Sequence, residues 1–236
     1  MKQTIAPLFA FLVLLASCKS KCIEDSGNHI EKNTVVKNFN KLDISGAFKI
    51  ILMQDSTYGV NIATDSNLMS AVKVDVSGDE LRIKMDEGSY CGSDSIVIKI
   101  GLGALTEIKT DGSVAIRTEG HIYADEVKLN FAGSSDVDLA LNAGKLTTHL
   151  EGAGKLALTG QAGVHDLYTQ GTVSIDAFNF VAGVYALDIT GSAKANINVL
   201  NELNVKTEGA SEVYYKGNPS KVNEKKSGAA KLEKVN

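Results

Sequence analysis

Through the second half of this chain a glycine followed by a small residue returns about every nineteen positions. The pairs are Gly112-Ser113, Gly133-Ser134, Gly152-Ala153, Gly171-Thr172, Gly191-Ser192, Gly209-Ala210 and Gly228-Ala229, at separations of 21, 19, 19, 20, 18 and 19 residues. With 22 glycines in 236 residues, chance would put a few pairs near that spacing, but not seven in succession. A fixed period of this length is the mark of a stacked repeat architecture.

The residues after each glycine decide between helical and strand repeats. Val137, Leu139 and Leu141 alternate with Asp138 and Ala140, and the pattern returns at Leu156 and Leu158, Ile175 and Ala177, then Ile197 and Val199. A second alternating run comes later in each unit, as in Leu146, Thr148 and Leu150, or Leu203, Val205 and Thr207. Period-two alternation predicts strands, and no unit has room for ten or more residues at helical spacing. The expected solution is an all-β solenoid, a β-helix whose equivalent strands stack in parallel about 4.8 Å apart. Glycine suits a corner of such a coil because it takes positive φ and admits a neighbouring backbone.

The third residue after each glycine is Ala115, Asp136, Lys155, Ser174, Lys194, Glu212 or Lys231. This position is expected to face solvent, with pairing of Asp136 to Lys155, and of Glu212 to Lys194 and Lys231, worth a few tenths of a kcal/mol each.

The preceding stretch, 35–111, is β-rich without a clean period, although Gly46-Ala47 matches the motif once. Val74 and Val76, then Leu81, Ile83 and Met85, flank the turn segment Ser77-Gly78-Asp79-Glu80 and predict an antiparallel hairpin. Asp65-Ser66-Asn67 predicts the cap of one helical turn. This portion is expected to cap the repeats of 112–236 within one continuous domain.

At the N-terminus, Lys2 precedes an apolar run from Phe9 to Ala16, too short for the roughly 20 residues of a spanning helix. Leu15-Ala16-Ser17-Cys18 resembles a bacterial lipobox, which predicts a signal peptide over 1–17, lipidation of Cys18 and a tether over 18–34. Removing 1–17 leaves 23 basic and 28 acidic residues, since Lys2 is the only charge lost from the 24 and 28 of the whole chain. That mildly acidic balance, with basic residues clustered only between Lys221 and Lys234, argues against nucleic acid as a partner. In an oxidising compartment the two remaining thiols, Cys22 and Cys91, are expected to pair. In the chain-entropy model that bond is worth about 3–5 kcal/mol.

Residues for chemistry are sparse. His29, His121, His149 and His165 stand singly and none lies at ligand spacing from a cysteine, so no metal or cofactor is expected. Asp136 with Asp138 is the nearest candidate for the paired carboxylates of a glycoside hydrolase, but their place in an alternating strand reads as solvated surface. His165-Asp166 reads as a turn dipeptide, and Gly101-Leu102-Gly103 as a strand-end bend. Either Tyr214 or Tyr215 could stack on a sugar.

Three segments together resemble the bacterial head GIN domain, a family named for autotransporter adhesins. They are Phe39-Asn40-Lys41-Leu42-Asp43-Ile44-Ser45-Gly46-Ala47-Phe48, the repeated small-residue corners, and Gly209 through Pro219. The resemblance implies a right-handed parallel β-helix. The corners have drifted from Ser-Gly-Ala-Ser-Asp-Val to forms such as Glu151-Gly152-Ala153-Gly154-Lys155-Leu156. With a lysine-rich final segment and a lipobox, anchoring is expected through the N-terminal lipid. The expected function is a non-catalytic, adhesin-like binding or structural module of the cell envelope, on the outer membrane, with an envelope polysaccharide or protein as partner. The alternative is a polysaccharide-processing enzyme using a groove along the repeats. Thiol titration of the exported protein should find both Cys22 and Cys91 unreactive; two reactive thiols would refute the pairing.

Overall fold

The computed structural model describes residues 22–86, 89–90, 92 and 95–236. The signal segment, Cys18 and Cys91 lie outside them. The strands are β1 (Cys22–Ile23), β2 (His29–Val35), β3 (Lys41–Gln54), β4 (Gly59–Asp65), β5 (Val72–Ser77), β6 (Glu80–Met85), β7 (Ser89–Tyr90), β8 (Val97–Leu102), β9 (Glu107–Thr118), β10 (Ile122–Lys216) and β11 (Lys221–Lys234). One helical turn, α1 (Ser66–Met69), comes after β4. The molecule is all-β with mixed strand orientation. The main sheet runs β11-β10-β9-β3-β8-β4-β2, with β6 also against β3 and β5 against β6. Contacts from β11 through to β8 are parallel, as is β3–β6; β8–β4, β4–β2 and β5–β6 are antiparallel.

β10 covers 95 residues. A straight strand of that length would reach roughly 300 Å, so the chain must bend, and the repeat glycines mark where. All eight, from Gly46 to Gly228, have φ between +92° and +135°. A Cβ built on Gly112 would lie 2.5 Å from the carbonyl oxygen of Gly46, and each later glycine in the series approaches the carbonyl of the one before it even more closely. Gly112 pairs in register with Gly46 across 66 sequence positions, Gly133 with Gly112, and Gly228 with Gly209. Gly46 is therefore the first member of the same column. The stretch between Gly46 and Gly112 leaves the stack and returns to it.

That excursion forms the antiparallel part. β5 and β6 are joined by the two-residue turn Gly78-Asp79, with Ser77 opposite Glu80 and Gly78 at φ +65°. β6 and β8 then pair with opposite ends of β3, so the hairpin expectation holds for β5–β6 but not for the parallel contacts to β3. β2 takes residues 29–34 of the expected tether into the sheet, pairing His29 with Asp65 and Val35 with Gly59. The helical turn is capped as expected, with Asp65 Oδ1 accepting from the backbone of Asn67 at 2.9 Å. Ser26 donates to the same carboxylate from both its backbone (2.8 Å) and its hydroxyl. Burial pushes the Asp65 pKa up, but the bonds from Asn67, Ser26 and Gly27 together outweigh it and hold the carboxyl below its ordinary value.

Alternation supplies the core. Leu42, Ile44, Phe48, Ile50 and Leu52 of β3 point inward, and their successors continue one apolar cluster up to Val213. The cluster is interrupted at His165. Sequence composition places His165-Asp166 in an exposed turn; instead His165 is fully buried within β10. The same alternation that turns Leu167 and Thr169 inward turns His165 inward two residues earlier. Its Nε2 lies 3.0 Å from Thr148 Oγ1, and its ring packs at 4.7 Å from Tyr185 and edge-on to Phe180 at 5.6 Å. His165 Nδ1 and the Tyr185 hydroxyl are buried without a hydrogen-bond partner. Burial pushes the His165 pKa down to about 3 and that of Tyr185 upward.

The glycine column and the buried histidine each make a measurable difference to stability. In urea denaturation, Gly171→Ala should cost about 2–4 kcal/mol, because it combines a strained φ with a clash against backbone. Ser174→Ala on the exposed face of the same repeat should stay within about 0.5 kcal/mol, and equal effects would remove the glycine column as the determinant. His165 is neutral when folded and has an ordinary pKa near 6.5 when unfolded. Its contribution is therefore complete above pH 6.5 and is lost as pH falls towards 3, by about 1.4 kcal/mol per pH unit. Unfolding free energies measured from pH 7 to 4 should show a shallower acid slope in His165→Gln than in the parent, whatever the absolute stability of the variant.

Candidate functional site

Register converts sequence spacing into columns on the surface. From Gly133 onward the third residue before each repeat glycine is Asn130, His149, Tyr168, Asp188, Lys206 and Lys225 in turn. The rings of His149 and Tyr168 are stacked 4.7 Å apart and within 10° of parallel. Lys206 Nζ lies 3.2 Å from Asp188, and Lys206 is in register with Lys225. These side chains project from alternating strand positions whose neighbours, among them Leu150, Leu167, Thr169, Leu187, Val205 and Thr207, are buried. The column is thus held by the core behind it.

Above Tyr168 the column opens into a surface groove of about 730 Å³, lined by Tyr168, Ala186, Asp188, Asn204, Lys206, Val222, Asn223 and Lys225 among others. A smaller hollow of about 240 Å³ shares Tyr168, Asp188 and Lys206 and adds His149, Glu151, Gln170 and Thr190. Tyr168 is 42% exposed and Val222 43%, unusual for large apolar groups in this structure. His149 covers one face of the Tyr168 ring from the repeat below. The groove belongs to the repeats above, where Ala186 leaves space.

Most charges along this face are matched locally, Lys225 being the exception among those lining the groove. Lys206 reaches Glu208 at 3.3 Å as well as Asp188, and its hydrogen bonds to Asp188 and then Glu208 raise its pKa. Lys221 lies 2.8 Å from Glu202 and, with Asn204, holds that carboxyl below its ordinary value. Lys145 pairs with Asp166 at 3.0 Å, and on the other side of β11, in register with the buried Val205 and Thr207, Glu224 pairs with Lys226 at 2.8 Å. Between them runs a chain of amides: Asn223 Nδ2 donates to Asn204 Oδ1 at 2.7 Å, and Asn204 Nδ2 to Glu202 at 3.1 Å.

The opposite face corrects the expected ladder of ion pairs. The positions three after each glycine are exposed except the half-buried Ala115, as expected, but the pairing differs: Asp136 pairs with Arg117 and not with Lys155. Arg117, opposite Asp138 in register, reaches diagonally to Asp136 with Nη2–Oδ2 at 2.6 Å and Nη1 to its carbonyl at 2.8 Å, while Nε stands 3.9 Å from Asp138. A long guanidinium one strand away out-competes a partner in the same column because it bonds the carboxylate and carbonyl of Asp136 together with the carbonyl of Ile116. Lys194 and Lys231 lie over the Tyr214 ring at 5.7 and 5.1 Å, and Lys231 pairs with Glu233 rather than with Glu212. Tyr214 and Tyr215 are both half-buried, and Tyr215 packs on the core.

The remaining candidates are dispersed. Cys22 is disulfide-bonded, and β1 pairs Cys22 with Ser89. Asp136 and Asp138 are tied by one arginine and exposed. His121 stands 6.3 Å from Tyr123 on a separate face. Among the described residues no three His, Cys, Asp or Glu side chains gather closely enough to hold a metal ion. Sequence reasoning does not single out His149, Tyr168, Asp188 and Lys206 as a set. Aligning the position three before each glycine is the signal that finds them.

Comparison with known proteins places these features. The family model described as "Putative auto-transporter adhesin, head GIN domain" matches residues 38–219. Among solved structures, a putative adhesin from Bacteroides fragilis is similar with a TM-score of 0.85 at 23% identity, over 90% of this chain and 100% of that one. A putative lipid binding protein from Parabacteroides distasonis gives 0.75 at 20% identity, over 92% and 100%. A putative adhesin from Parabacteroides merdae gives 0.68 at 22%, over 92% and 100%. At these identities the likeness establishes a shared fold. No curated protein matches the chain.

Proposed function

The chain belongs to the head GIN domain family, and from that premise we propose that it is a cell-envelope lipoprotein whose repeats form a right-handed parallel β-helix serving as a non-catalytic, adhesin-like binding module. The observation that carries the reading is the outward column His149-Tyr168-Asp188-Lys206 and its groove, set on a backbone that glycine-on-carbonyl contacts keep in register. Such a surface offers many weak, repeated contacts. The one pair of carboxylates suited by spacing to glycan hydrolysis is bridged by Arg117, which favours binding over cleavage.

The β-helix reading is supported by the 95-residue β10, its parallel neighbours on both sides and the 18–21-residue offsets between stacked glycines. Membrane attachment is assigned to a lipid on Cys18. No helix among the described residues is long and apolar enough to cross a membrane. The tie of Ser26 to Asp65 and the disulfide at Cys22 would fix the exit point of the anchor close to β4 and α1. Outer-membrane placement, and an envelope polysaccharide or protein as partner, complete the proposal.

Cells grown with labelled palmitate should yield a labelled protein that partitions into the detergent phase of Triton X-114. Cys18→Ala should remove the label and move the protein to the aqueous phase. An unlabelled parent chain, or a detergent-phase Cys18→Ala variant, overturns the lipoprotein assignment. Protease treatment of intact cells reports which way the module faces.

A further inference from the structure

The last repeat carries charge at two inward positions where every earlier repeat carries none. From this we infer that β11 is built to refuse the stacking of a second copy on the end of the sheet, and so keeps the module a single unit. The fourth and the second residue before each repeat glycine form two inward columns. They run from Leu42 and Ile44 in β3, through Leu167 and Thr169, to Val205 and Thr207, uncharged and buried throughout. In β11 the same positions are Glu224 and Lys226, in register with Val205 and Thr207 and joined to each other at 2.8 Å.

The place of these charges gives them their effect. The sheet order ends at β11, which pairs with β10 along all 14 of its residues. Its inward side also carries Val222, Ala230 and Leu232, in register with the buried Leu203, Ser211 and Val213, and Val222 is 43% exposed. An edge of this length with apolar groups above a core is a template for another strand about 4.8 Å away. A strand arriving there would cover Glu224 and Lys226, whose side chains are now 29% and 42% exposed. Taking such a pair out of water costs more than its mutual attraction returns unless further hydrogen bonds form.

The other end of the stack shows the contrast. On β3, Leu42 meets Leu81, Ile44 meets Ile83 and Ile50 meets Ile98, so apolar inward positions are continued by apolar ones in β6 and β8. A strand is accepted there because nothing charged is buried by it. The outline charge of β11 acts in the same direction as its inward pair. The strand holds five lysines against two glutamates, within a chain whose formal net charge is −4. Two copies meeting through β11 would set these lysines against one another.

The test is sedimentation velocity over about 1–100 µM, where self-association follows mass action. The mature chain is exported behind a cleavable signal peptide with Cys18→Ser, so that no lipid or detergent contributes and the Cys22 disulfide can form. This parent should remain monomeric across the range. Glu224→Val with Lys226→Thr copies the repeat beneath, and its weight-average mass should rise about twofold or more with concentration. Asn223→Val with Lys225→Thr places the same residues on the outer side of the strand and should remain monomeric. So should Glu224→Lys with Lys226→Glu, which reverses the pair. Circular dichroism and melting temperature report whether each variant is folded. If the first variant is not, Glu224→Thr with Lys226→Thr replaces it, using the hydroxyl that these columns already hold at Thr148 and Thr207. A parent that self-associates, an inward variant that stays monomeric, or equal association of the outer-side or reversed variant overturns the inference. Unfolding of both inward variants also overturns it, because the pair would then hold β11 in place rather than guard its edge. The binding-module reading is untouched by any of these results.

Discussion

The close approach of each repeat glycine to the carbonyl of the glycine before it is the contact on which everything else in this structure is hung. Between neighbouring strands the backbone separation is about 4.8 Å, and at the corner the path tightens until even a methyl group would overlap the carbonyl oxygen. The same residues take φ values that L side chains rarely adopt. Two independent penalties, one steric between repeats and one conformational within the residue, therefore select glycine at one position per repeat. Because a slip of one residue would place a side chain at that corner and turn the apolar set outward, the column of glycines acts as a register lock. The lock spans the gap between Gly46 and Gly112, which is why a long excursion can leave the stack without disturbing it.

Register, once locked, decides what the surface can be. Residues at a fixed distance from the glycine form outward columns, and each is a one-dimensional series of side chains that can vary without touching the core. The column containing Tyr168 carries stacked rings, then a carboxylate, then two lysines. The column three past the glycines carries the charges that Arg117 and Tyr214 draw away from straight pairing. Exposed pairs of this kind are worth only a few tenths of a kcal/mol each. They neutralise the face and orient its long side chains, while stability resides in the apolar cluster and the corners.

Much of this was legible in the sequence, and the reasons are specific. The spacing of seven glycines, the alternation after them and the single match at Gly46 were visible because backbone strain and burial act at every repeat and leave a periodic trace. Asp65 was legible because a helix cap is decided within three residues. His165 was not: a lone histidine beside an aspartate has the composition of a turn, and only counting the alternation back from Leu167 shows that it must face inward. The pairing of β6 and β8 with β3 was equally hidden, since it is set by long-range tertiary contacts, whereas the β5–β6 hairpin was legible from its turn. The pairing of Arg117 with Asp136 was missed because diagonal reach depends on side-chain length rather than on spacing.

The buried polar group in the core bears on how such a stack tolerates variation. Thr148, His165 and Tyr185 come from successive repeats, so their contact is a core counterpart of the outward columns. One hydrogen bond is made, while His165 Nδ1 and the Tyr185 hydroxyl are left without partners, an arrangement that costs on the order of 1–3 kcal/mol per unsatisfied group. An apolar triple would avoid that cost, so the polar set does not serve stability. His165 and Tyr185 sit on the inner side of the strand segments whose outer side carries Tyr168 and Asp188, so the alternation that exposes the column is the same one that places the polar set behind it.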